Sequence, residues 1–526
     1  MAKAKAQKAK TEVKEVVSEP KVESSKEPAP AKIRRTNIIE IPIPSLSQQS
    51  GNLLVCGQND VGQLGLNTDD VMEKTRPSLV SELSNISDVK AGGMHSLVLT
   101  KGGEIWSFGC NDEGALGRDT EEEGSETKPK KIELPGKAVK ISAGDSHSAC
   151  LLDDGRVYAW GAFRDSHGSM GLTTEGNKKS PVHVVPEVVA VDIASGNDHL
   201  VILTKNGHVY TIGCGEQGQL GRVSPRTLTG ESRRGKTTLL NPGCIPKKAG
   251  KFIANAIWAT PFCTFLRENK SNNVYGFGLN NYCQLGVKKG GKEFEHFPLM
   301  TKFSDVKALA GGQHHTIILT NDNKVYAIGR KDYGRLGLGS VESDIKELAH
   351  VKGLTDIHQI TCGEASSFAI TNNGKVYVWG MGSSSQLGTG DEDDVESPKL
   401  LASAQVKDKN ILSVSSGGQH SLFLVEAPGS TAAKSVAIKE TVPVNAQNED
   451  PPITTIPEPV KAPRGNSKEK KESAKVVKAG NKKKALSVVK DKESTTDVNG
   501  NSEKDEPMDV DVAVTKVARK RKAIHQ

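Results

Sequence analysis

The sequence predicts an all-β protein, a seven-bladed β-propeller with a disordered basic tail at each end. A glycine frame close to G-x-x-x-x-G-x-L-G occurs seven times, at intervals of 51 to 65 residues, and repetition at such a period indicates one structural unit used many times. Within each interval, short β-rich runs are broken by Gly- or Asn-containing turns, as in SLVLT–KGG–EIWSFG. About four strands fit one interval, which is the composition of a propeller blade. The frames begin at Gly57, Gly109, Gly161, Gly213, Gly278, Gly329 and Gly380.

The two ends of the repeat region predict how the ring closes. NLLVCG at Asn52–Gly57 is a strand and frame without a preceding hairpin partner, and SGGQHSLFLV at Ser416–Val425 is a strand with no frame after it. Pairing these strands completes one blade and removes two exposed sheet edges. We therefore expect a propeller over residues 37–426 whose N- and C-terminal strands share a blade.

Composition separates the tails from the repeat region. Residues 1–36 hold 10 Lys/Arg against 5 Asp/Glu and residues 427–526 hold 20 against 14, so the net charge of +7 belongs to the tails and the body is mildly acidic. Both tails lack the apolar content needed for a core and are predicted to be disordered. Their basic charge favours an acidic polymer as a partner. Candidate nuclear import signals are Lys32, Arg34 and Arg35, and Arg519, Lys520, Arg521 and Lys522.

Several classes of protein do not fit the sequence. The chain starts MAKAKAQKAK without an apolar leader and has no apolar run near about 18 residues, so a secreted or membrane-spanning protein is not expected. The eight cysteines include no C-x-x-C pair, which predicts reduced thiols in a nuclear or cytosolic protein. No catalytic triad, metal cluster or cofactor fingerprint is recognisable, so we predict no metal, no cofactor and no covalent catalysis.

Motifs within the repeats point to one family. AGGMHS, AGDSHSACLLDDGRVYAWG, ASGNDHLVILT, GCGEQGQLGRV and SGGQHH all lie within residues 50–426. In these motifs the chain resembles the regulator of chromosome condensation family, the chromatin-bound guanine nucleotide exchange factors for the small GTPase Ran. The resemblance implies a nuclear, chromatin-associated protein that displaces nucleotide without covalent chemistry. The implied partners are Ran, the histone acidic patch of nucleosomes, DNA phosphates through the basic tails, and importin, with no membrane.

A histidine recurs near the start of one strand in the repeats. It lies at positions 95, 147, 199, 314 and 420, with Thr264 and Ser366 in the other two repeats. Five copies spread around a ring predict a repeated buried hydrogen bond, because imidazole both donates and accepts. The resemblance adds His95, His314 and His420 as GTPase contacts, whereas His147 and His199 keep the structural interpretation.

Three carboxylates interrupt the repeat: Asp60, Asp145 and Asp198. Each either caps a turn, as Asp often does, or binds a partner from one face of the ring. The resemblance favours binding. It makes Asp198 the residue most needed for exchange, and it makes Asp60, Asp145 and Arg222 GTPase contacts.

The third frame, GAFRDSHGSMG, is two residues longer than the others. Such an insertion is often a tolerated surface feature. The resemblance instead identifies it as a β-wedge that presses on the phosphate-binding loop of the GTPase. The segment expected to protrude is Phe163, Arg164, Asp165, Ser166, His167, Gly168, Ser169 and Met170.

The 65-residue interval contains GESRRGKT at Gly230–Thr237, a formal match to the G-x-x-x-x-G-K-[ST] phosphate-binding loop. That loop needs an apolar strand before it and a helix N-terminus after it, and neither is indicated, so nucleotide hydrolysis is not predicted. Arginine pairs with carboxylates in a bidentate way, and the resemblance implies docking on the histone acidic patch. The predicted chromatin contacts are Arg226, Arg233, Arg234 and Lys236.

The hypothesis from sequence is thus a nucleosome-bound exchange factor for Ran. Two alternatives stay open: a chromatin scaffold that kept the propeller and tails without exchange activity, and a propeller adaptor for ubiquitin ligation or trafficking. An intact wedge together with Asp198 favours exchange over scaffolding.

Overall fold

The computed structural model describes residues 39–427, apart from residue 69 and residues 229–232, 248–249 and 289–290. These residues belong to the first of two compact units, Met1–Ile438, and the second, Lys439–Gln526, lies outside them. The predicted tails, residue 427 aside, and both basic import clusters also lie outside the described residues. Within the described part, no helix combines the length and apolarity needed to cross a membrane.

The chain forms seven blades of four antiparallel strands, as the repeat predicts. Blade 1 consists of β3 Ile86–Ala91, β4 His95–Thr100, β5 Ile105–Gly109 and β6 Lys130–Lys131. Blade 2 consists of β7 Ala138–Ala143, β8 His147–Leu152, β9 Val157–Gly161 and β12 Lys178–His183. Blade 3 consists of β13 Ala190–Ser195, β14 His199–Thr204, β15 Val209–Gly213 and β16 Gly243–Cys244. Blade 4 consists of β19 Ala254–Ala259, β20 Cys263–Glu268, β21 Val274–Leu279 and β22 Phe294–Met300. Blade 5 consists of β23 Val306–Gly311, β24 His315–Thr320, β25 Val325–Gly329 and β26 Ile345–His350. Blade 6 consists of β27 Ile357–Cys362, β28 Ser366–Thr371, β29 Val376–Gly380 and β30 Val395–Leu400. Blade 7 is β31 Ile411–Ser416, β32 His420–Glu426, β1 Gly51–Gln58 and β2 Glu73–Val80.

Insertions between blade strands account for the remaining elements. They are the hairpin β10 Phe163–Asp165 and β11 Gly168–Gly171, the hairpin β17 Pro246–Lys247 and β18 Gly250–Lys251, the helices α1 Pro225–Leu228 and α2 Arg233–Leu240, and a 3-10 turn at Asp332–Gly334. The first strand of every blade contacts the first strand of the next, all the way round the ring. These first strands therefore line the axis.

Closure occurs as expected from the two unmatched ends of the repeat. β1 pairs antiparallel with β32 from Gly51 opposite Glu426 to Gly57 opposite His420. One blade thus contains both ends of the described repeat region, which removes the two sheet edges that an open arc would expose.

The second strand of a blade is its most buried element. In β4, β8, β14 and β28 every residue is buried. Because neighbouring blades cover both faces of this strand, its sequence is a continuous apolar run such as HLVILT rather than an alternating pattern.

The frame glycines have the scaffold role that their repetition indicates. In five of the seven frames the last glycine packs on an aromatic ring: a Cβ on Gly117 would lie 2.8 Å from Trp160, and one on Gly221 would lie 2.5 Å from Phe277. Where the second glycine is replaced, the backbone keeps the same left-handed conformation, with φ of 62° at Cys283 and 55° at Ser385. Local backbone geometry is thus retained even where a side chain makes it less favourable.

The segment of residues 39–50, which precedes β1, runs along the end of the ring where the second and third strands of each blade are joined by hairpin turns. The Ile41 amide donates to the Lys205 carbonyl at 2.8 Å, and the Lys205 ammonium lies 2.6 Å from the Glu40 carboxylate. Ile41 and Ile43 pack against the apolar core between blades 3 and 4. Residues before the first strand therefore cross the hairpin turns of the blades.

Candidate functional site

Two sets of loops share one end of the propeller. His95 at the start of β4 is the register partner of Gly109 at the end of β5, and the other blades repeat this pairing. The loop before the second strand and the frame after the third strand therefore emerge together. We call this end of the ring the loop face.

Beneath the loop face, buried histidines link the blades into a belt. Each imidazole Nε2 bonds to a hydroxyl of the next blade, and the pairs are His95–Ser148, His147–Ser195, His199–Thr264, His315–Ser367 and His420–Ser96, at 2.8 to 3.1 Å. Ser96, Ser148, Thr264 and Ser367 also donate to a carbonyl. Because a hydroxyl has one proton to donate, Nε2 carries the hydrogen in these four pairs. The repeated buried hydrogen bond expected from the sequence is therefore present.

The belt also explains the glycine three residues before the histidine. A Cβ on Gly92 would lie 2.3 Å from the His95 ring, and one on Gly196 would lie 2.2 Å from the His199 ring. In blade 4 the smaller Cys263 replaces the histidine, and Thr260 replaces the glycine. A side chain at this position is thus present where the ring is absent, as steric contact requires, while blade 6 keeps Gly363 although Ser366 replaces its histidine.

Burial corrects the predicted GTPase contacts at His95 and His420. Their exposed fractions are 1% and 0%, so neither ring reaches the surface of the described structure. Burial lowers the pKa of His95 to about 4 and that of His420 to about 3. Both are neutral belt members near pH 7.

Strand register corrects the assignment of the histidine repeat. His315, not His314, pairs with the frame glycine Gly329, and Cys263, not Thr264, occupies the position in blade 4. His314 therefore corresponds to Asp198, the residue just before the belt histidine. Its ring lies 5.2 Å from that of Tyr282, centroid to centroid, on the loop face. Its GTPase contact stays a prediction.

Asp145 and Asp198 come from the loops of neighbouring blades 2 and 3. The Asp145 amide donates to the Asn197 carbonyl at 2.7 Å, which fixes the two loops together. Burial, followed by the negative charge of Asp145, raises the pKa of Asp198 well above its usual range. Burial also raises the pKa of Asp145, and the Arg164 charge opposes both shifts. The fold thus holds two half-buried like charges in one place, which is a common property of functional sites.

The predicted wedge is a two-stranded hairpin, formed by β10 and β11. Its ends do not protrude: Phe163 is 0% exposed and Met170 is 5% exposed, and both belong to the core between blades 2 and 3. Only the six residues from Arg164 to Ser169 project from this base, which corrects the predicted limits. The Arg164 amide donates to Asp198 Oδ1 at 2.8 Å. Asp198 and the wedge therefore form one connected unit.

Sequence reasoning missed two wedge contacts. Glu113 in the frame of blade 1 and Glu216 in the frame of blade 3 both bond to wedge residues. The sequence contained an indication of these contacts, because each is an acidic residue in a frame that flanks the longer third frame. Carboxylate oxygens of Asp165 and Glu216 and a His167 nitrogen also lie within 4.8 Å of one another, a geometry compatible with a cation.

Acidic frame residues form an arc over four consecutive blades. They are Asp60 in blade 7, Asp112 and Glu113 in blade 1, Asp165 in blade 2 and Glu216 in blade 3. The frames GLNNYCQLG and GMGSSSQLG of blades 4 and 6 carry no charge, and GRKDYGRLG of blade 5 offsets its one Asp with three basic residues. Asp60 is exposed and accepts a hydrogen bond from Gln63 at 3.0 Å. It thereby holds the Gln63 side chain, whose oxygen accepts from the Val61 amide at 3.0 Å, and its GTPase contact stays a prediction.

Arg222 is an internal clamp that stays partly exposed, and its GTPase contact stays a prediction. Its guanidinium donates to the main-chain carbonyls of Thr211, Thr238 and Asn241 at 3.1, 3.0 and 2.9 Å. Burial lowers its pKa to about 10, so it stays charged near pH 7. The side chain ties the long blade 3 insertion to the blade.

That insertion contains the predicted chromatin contacts. Arg226 and Lys236 are exposed, and Arg233 and Arg234 begin α2, with side chains outside the described residues. Gly235 is buried within α2. The expectation that no helix is present here is wrong, because α2 covers the end of the GESRRGKT match. A glycine inside the helix still cannot form the phosphate-binding loop that precedes a helix, so nucleotide hydrolysis is again not predicted.

Comparisons with known sequences agree on one family. The family model described as the RCC1-like domain matches residues 52–423. The regulator of chromosome condensation of Drosophila melanogaster is 52% identical over 416 residues, covering 78% of this chain and 76% of the relative. That of Homo sapiens is 44% identical over 421 residues, covering 78% and 99%. The guanine nucleotide exchange factor SRM1 of Saccharomyces cerevisiae is 30% identical over 437 residues, covering 72% and 88%.

Solved structures give the same result. Prp20p of Saccharomyces cerevisiae, studied for its binding to Gsp1p and histones, is 29% identical with a TM-score of 0.66, covering 73% of this chain and 94% of that one. Yeast RCC1 (Prp20) bound to Kap60 is 28% identical with a TM-score of 0.68, covering 78% and 97%. With its seven blades, its loop-face wedge and these relatives, the chain belongs to the RCC1-like family and, within it, to the regulators of chromosome condensation.

Proposed function

We propose that this protein is a guanine nucleotide exchange factor for a small GTPase of the Ran type. The observation that carries the proposal is the wedge on the loop face, anchored in the core by Phe163 and Met170 and bonded to Asp198 through the Arg164 amide. The yeast relative SRM1 is named a guanine nucleotide exchange factor, and Prp20p binds Gsp1p. A scaffold without exchange activity has no need for an insertion fixed in this way.

The exchange reaction requires competition between two tight complexes. A small GTPase holds its nucleotide with an affinity on the order of nM to pM, or roughly 12–16 kcal/mol. The exchange factor must bind the nucleotide-free GTPase with comparable free energy. Coupling is reciprocal, so the factor weakens nucleotide binding by as much as nucleotide weakens the factor. The cellular ratio of GTP to GDP then sets the direction of exchange.

Asp145 and Asp198 on the loop face provide the charge for this competition. A nucleotide site is built from cationic groups and Mg²⁺ that hold phosphates. The carboxylates of Asp145 and Asp198 attract those cations and repel the phosphates. Since burial and mutual repulsion already raise the pKa of Asp198, a cation brought against it relieves an unfavourable charge pair. The electrostatic attraction between this carboxylate and the cation is stronger than it would be for a carboxylate in water.

The wedge tip provides the steric part. The residues from Arg164 to Ser169 project beyond a buried base, so they reach a partner without unfolding of the blade. In the complex, a rigid projection that occupies the space of the GTPase phosphate-binding loop favours the nucleotide-free GTPase. The reason is that the full binding energy between the two proteins is available only when the nucleotide is absent.

A second surface anchors the protein on chromatin in this proposal. Arg226, Arg233, Arg234 and Lys236 lie on the blade 3 insertion and would dock on the histone acidic patch, while the basic tails bind DNA phosphates and importin. Prp20p binds histones, and Kap60 binds yeast RCC1. Both relationships support a nuclear, chromatin-associated protein.

Release of labelled nucleotide from the purified GTPase tests the proposal. The wild-type protein should accelerate release, and Asp198→Ala should reduce that acceleration at least about a hundredfold, or about 2.7 kcal/mol. Circular dichroism and melting temperature provide the folding control. A folded wild-type protein that leaves release at its spontaneous rate contradicts exchange activity and favours the scaffold.

A further inference from the structure

The wedge needs support beyond its buried base. A two-stranded hairpin alone is marginally stable in water. Phe163 and Met170 fix only its ends, and Arg164, Ser166, His167 and Ser169 are exposed. A projection that must keep its shape while it displaces a ligand requires contacts nearer its tip.

The first such contact comes from blade 3. Glu216 Oε2 accepts a hydrogen bond from the Ser166 amide at 3.0 Å, and Glu216 Oε1 accepts one from the Ser166 hydroxyl at 2.6 Å. Both carboxylate oxygens are therefore used on one residue at the end of β10, where the hairpin turns. The bidentate contact fixes both the position and the orientation of the turn.

The second contact comes from blade 1 and supports the opposite strand. Glu113 Oε2 accepts from Asn177 Nδ2, and Asn177 Oδ1 accepts from the Ser169 hydroxyl at 3.0 Å. Glu113 Oε1 lies 3.3 Å from Arg164 Nη1. Glu113 thus restrains both strands of the wedge, directly through Arg164 and through Asn177.

From this arrangement we infer that Glu113 and Glu216 are positioning residues that hold the wedge between blades 1 and 3 in its working orientation. The inference rests on the proposed exchange function. Exposed ion pairs and hydrogen bonds add little to global stability, so the benefit of these contacts lies in geometry. Both oxygens of each carboxylate are used on the wedge or on Asn177, which supports it, and this makes a purely incidental placement a poor explanation.

The test measures steady-state nucleotide release by Glu113→Ala, Glu216→Ala and Glu216→Gln. We expect each alanine variant to lower kcat about tenfold with KM changed less than threefold, because positioning acts on the displacement step. Glu216→Gln keeps one acceptor oxygen and should recover part of the loss. Glu187→Ala is the matched control, since it removes the same charge from an exposed position between β12 and β13, at the end of the ring away from the loop face, and should keep wild-type kcat.

A double-mutant cycle separates positioning from direct partner contact. Deletion of Ser166 and His167 restores a nine-residue frame and removes the tip. In that background Glu216→Ala should cause no further loss, because interacting sites are not additive. An additional tenfold loss overturns the inference and makes Glu216 a direct contact.

Amide hydrogen exchange tests the contact without reference to exchange activity. Glu216→Ala should speed hydrogen exchange at the Ser166 amide at least tenfold relative to wild type and the Glu187→Ala control. Unchanged protection at Ser166 overturns the inference. If the deletion variant releases nucleotide at the wild-type rate, the proposed role of the wedge in exchange fails, whereas faster amide exchange at Ser166 still establishes the contact.

Discussion

One substitution at two equivalent threonines should have opposite effects on stability. Thr264 and Thr316 follow the belt position in blades 4 and 5, and both are 0% exposed. Thr264 Oγ1 lies 2.8 Å from His199 Nε2 and donates to the Gln219 carbonyl at 2.8 Å. Cys263 replaces the histidine that would otherwise reach Thr316. Among the described residues, Thr316 Oγ1 has no hydrogen-bond partner.

The expected magnitudes follow from these contacts. Thr264→Val keeps the shape of the side chain but leaves His199 Nε2 and the Gln219 carbonyl buried without this partner. An unsatisfied buried group costs about 1–3 kcal/mol, so with two such groups the free energy of unfolding should fall by about 2–6 kcal/mol. Thr316→Val removes a hydroxyl that is already unpaired, so the free energy of unfolding should stay constant or rise by about 1 kcal/mol.

Equilibrium urea unfolding followed by tryptophan fluorescence measures the difference. Both variants should keep the wild-type slope, so that a shift of the midpoint reports stability. The melting temperatures should rank Thr316→Val at or above wild type and Thr264→Val below it. Equal losses at the two positions, or a larger loss at Thr316, would refute the assignment of the belt and its interruption in blade 4.

Three further outcomes are expected. Asp198→Asn should keep the acceptor for the Arg164 amide yet slow nucleotide release. Because burial and Asp145 raise the pKa of Asp198 in the folded protein, the wild-type carboxylate destabilises the fold increasingly as pH rises above the ordinary value of 3.8. Thermal melting should therefore show the variant to be more stable than wild type at pH 8 and equal to it at low pH. Arg222→Met should loosen the blade 3 insertion by removing its carbonyl contacts, and limited proteolysis should cut residues 225–242 faster than in the wild-type protein. The double variant Arg233→Glu, Arg234→Glu should weaken nucleosome co-sedimentation, with wild-type exchange on free GTPase; loss of exchange in a folded variant would place both partners on one surface.

The sequence alone determined the blade count and the closure of the ring. Both follow from short-range signals, because frame glycines and hairpin turns specify local backbone geometry that repeats at a fixed interval. The unmatched strand at Asn52–Gly57 needed only one partner, and β32 supplies it. Even Cys283 and Ser385, which break the glycine pattern, keep its backbone conformation.

The belt shows where sequence reasoning reached its limit. The repeated histidine predicted a buried hydrogen bond, but adjacent histidines at 314 and 315 fitted the repeat almost equally well. Only the pairing of His315 with Gly329 identifies the belt member. The choice depends on strand register, since a shift of one residue exchanges a buried side chain for one at the loop face.

The tertiary structure alone decided what each polar side chain of the candidate site contacts. Asp198 bonds to the Arg164 amide, 34 residues away, and the wedge tip bonds to Glu216, 50 residues away. Arg222, by contrast, uses its donors on its own blade and insertion. A repeat motif fixes the backbone of one blade, because that geometry depends on nearby residues. Whether a charged side chain is exposed or paired depends on the neighbouring blade. Those neighbours are about one repeat away in the sequence, so a local motif does not specify the contact.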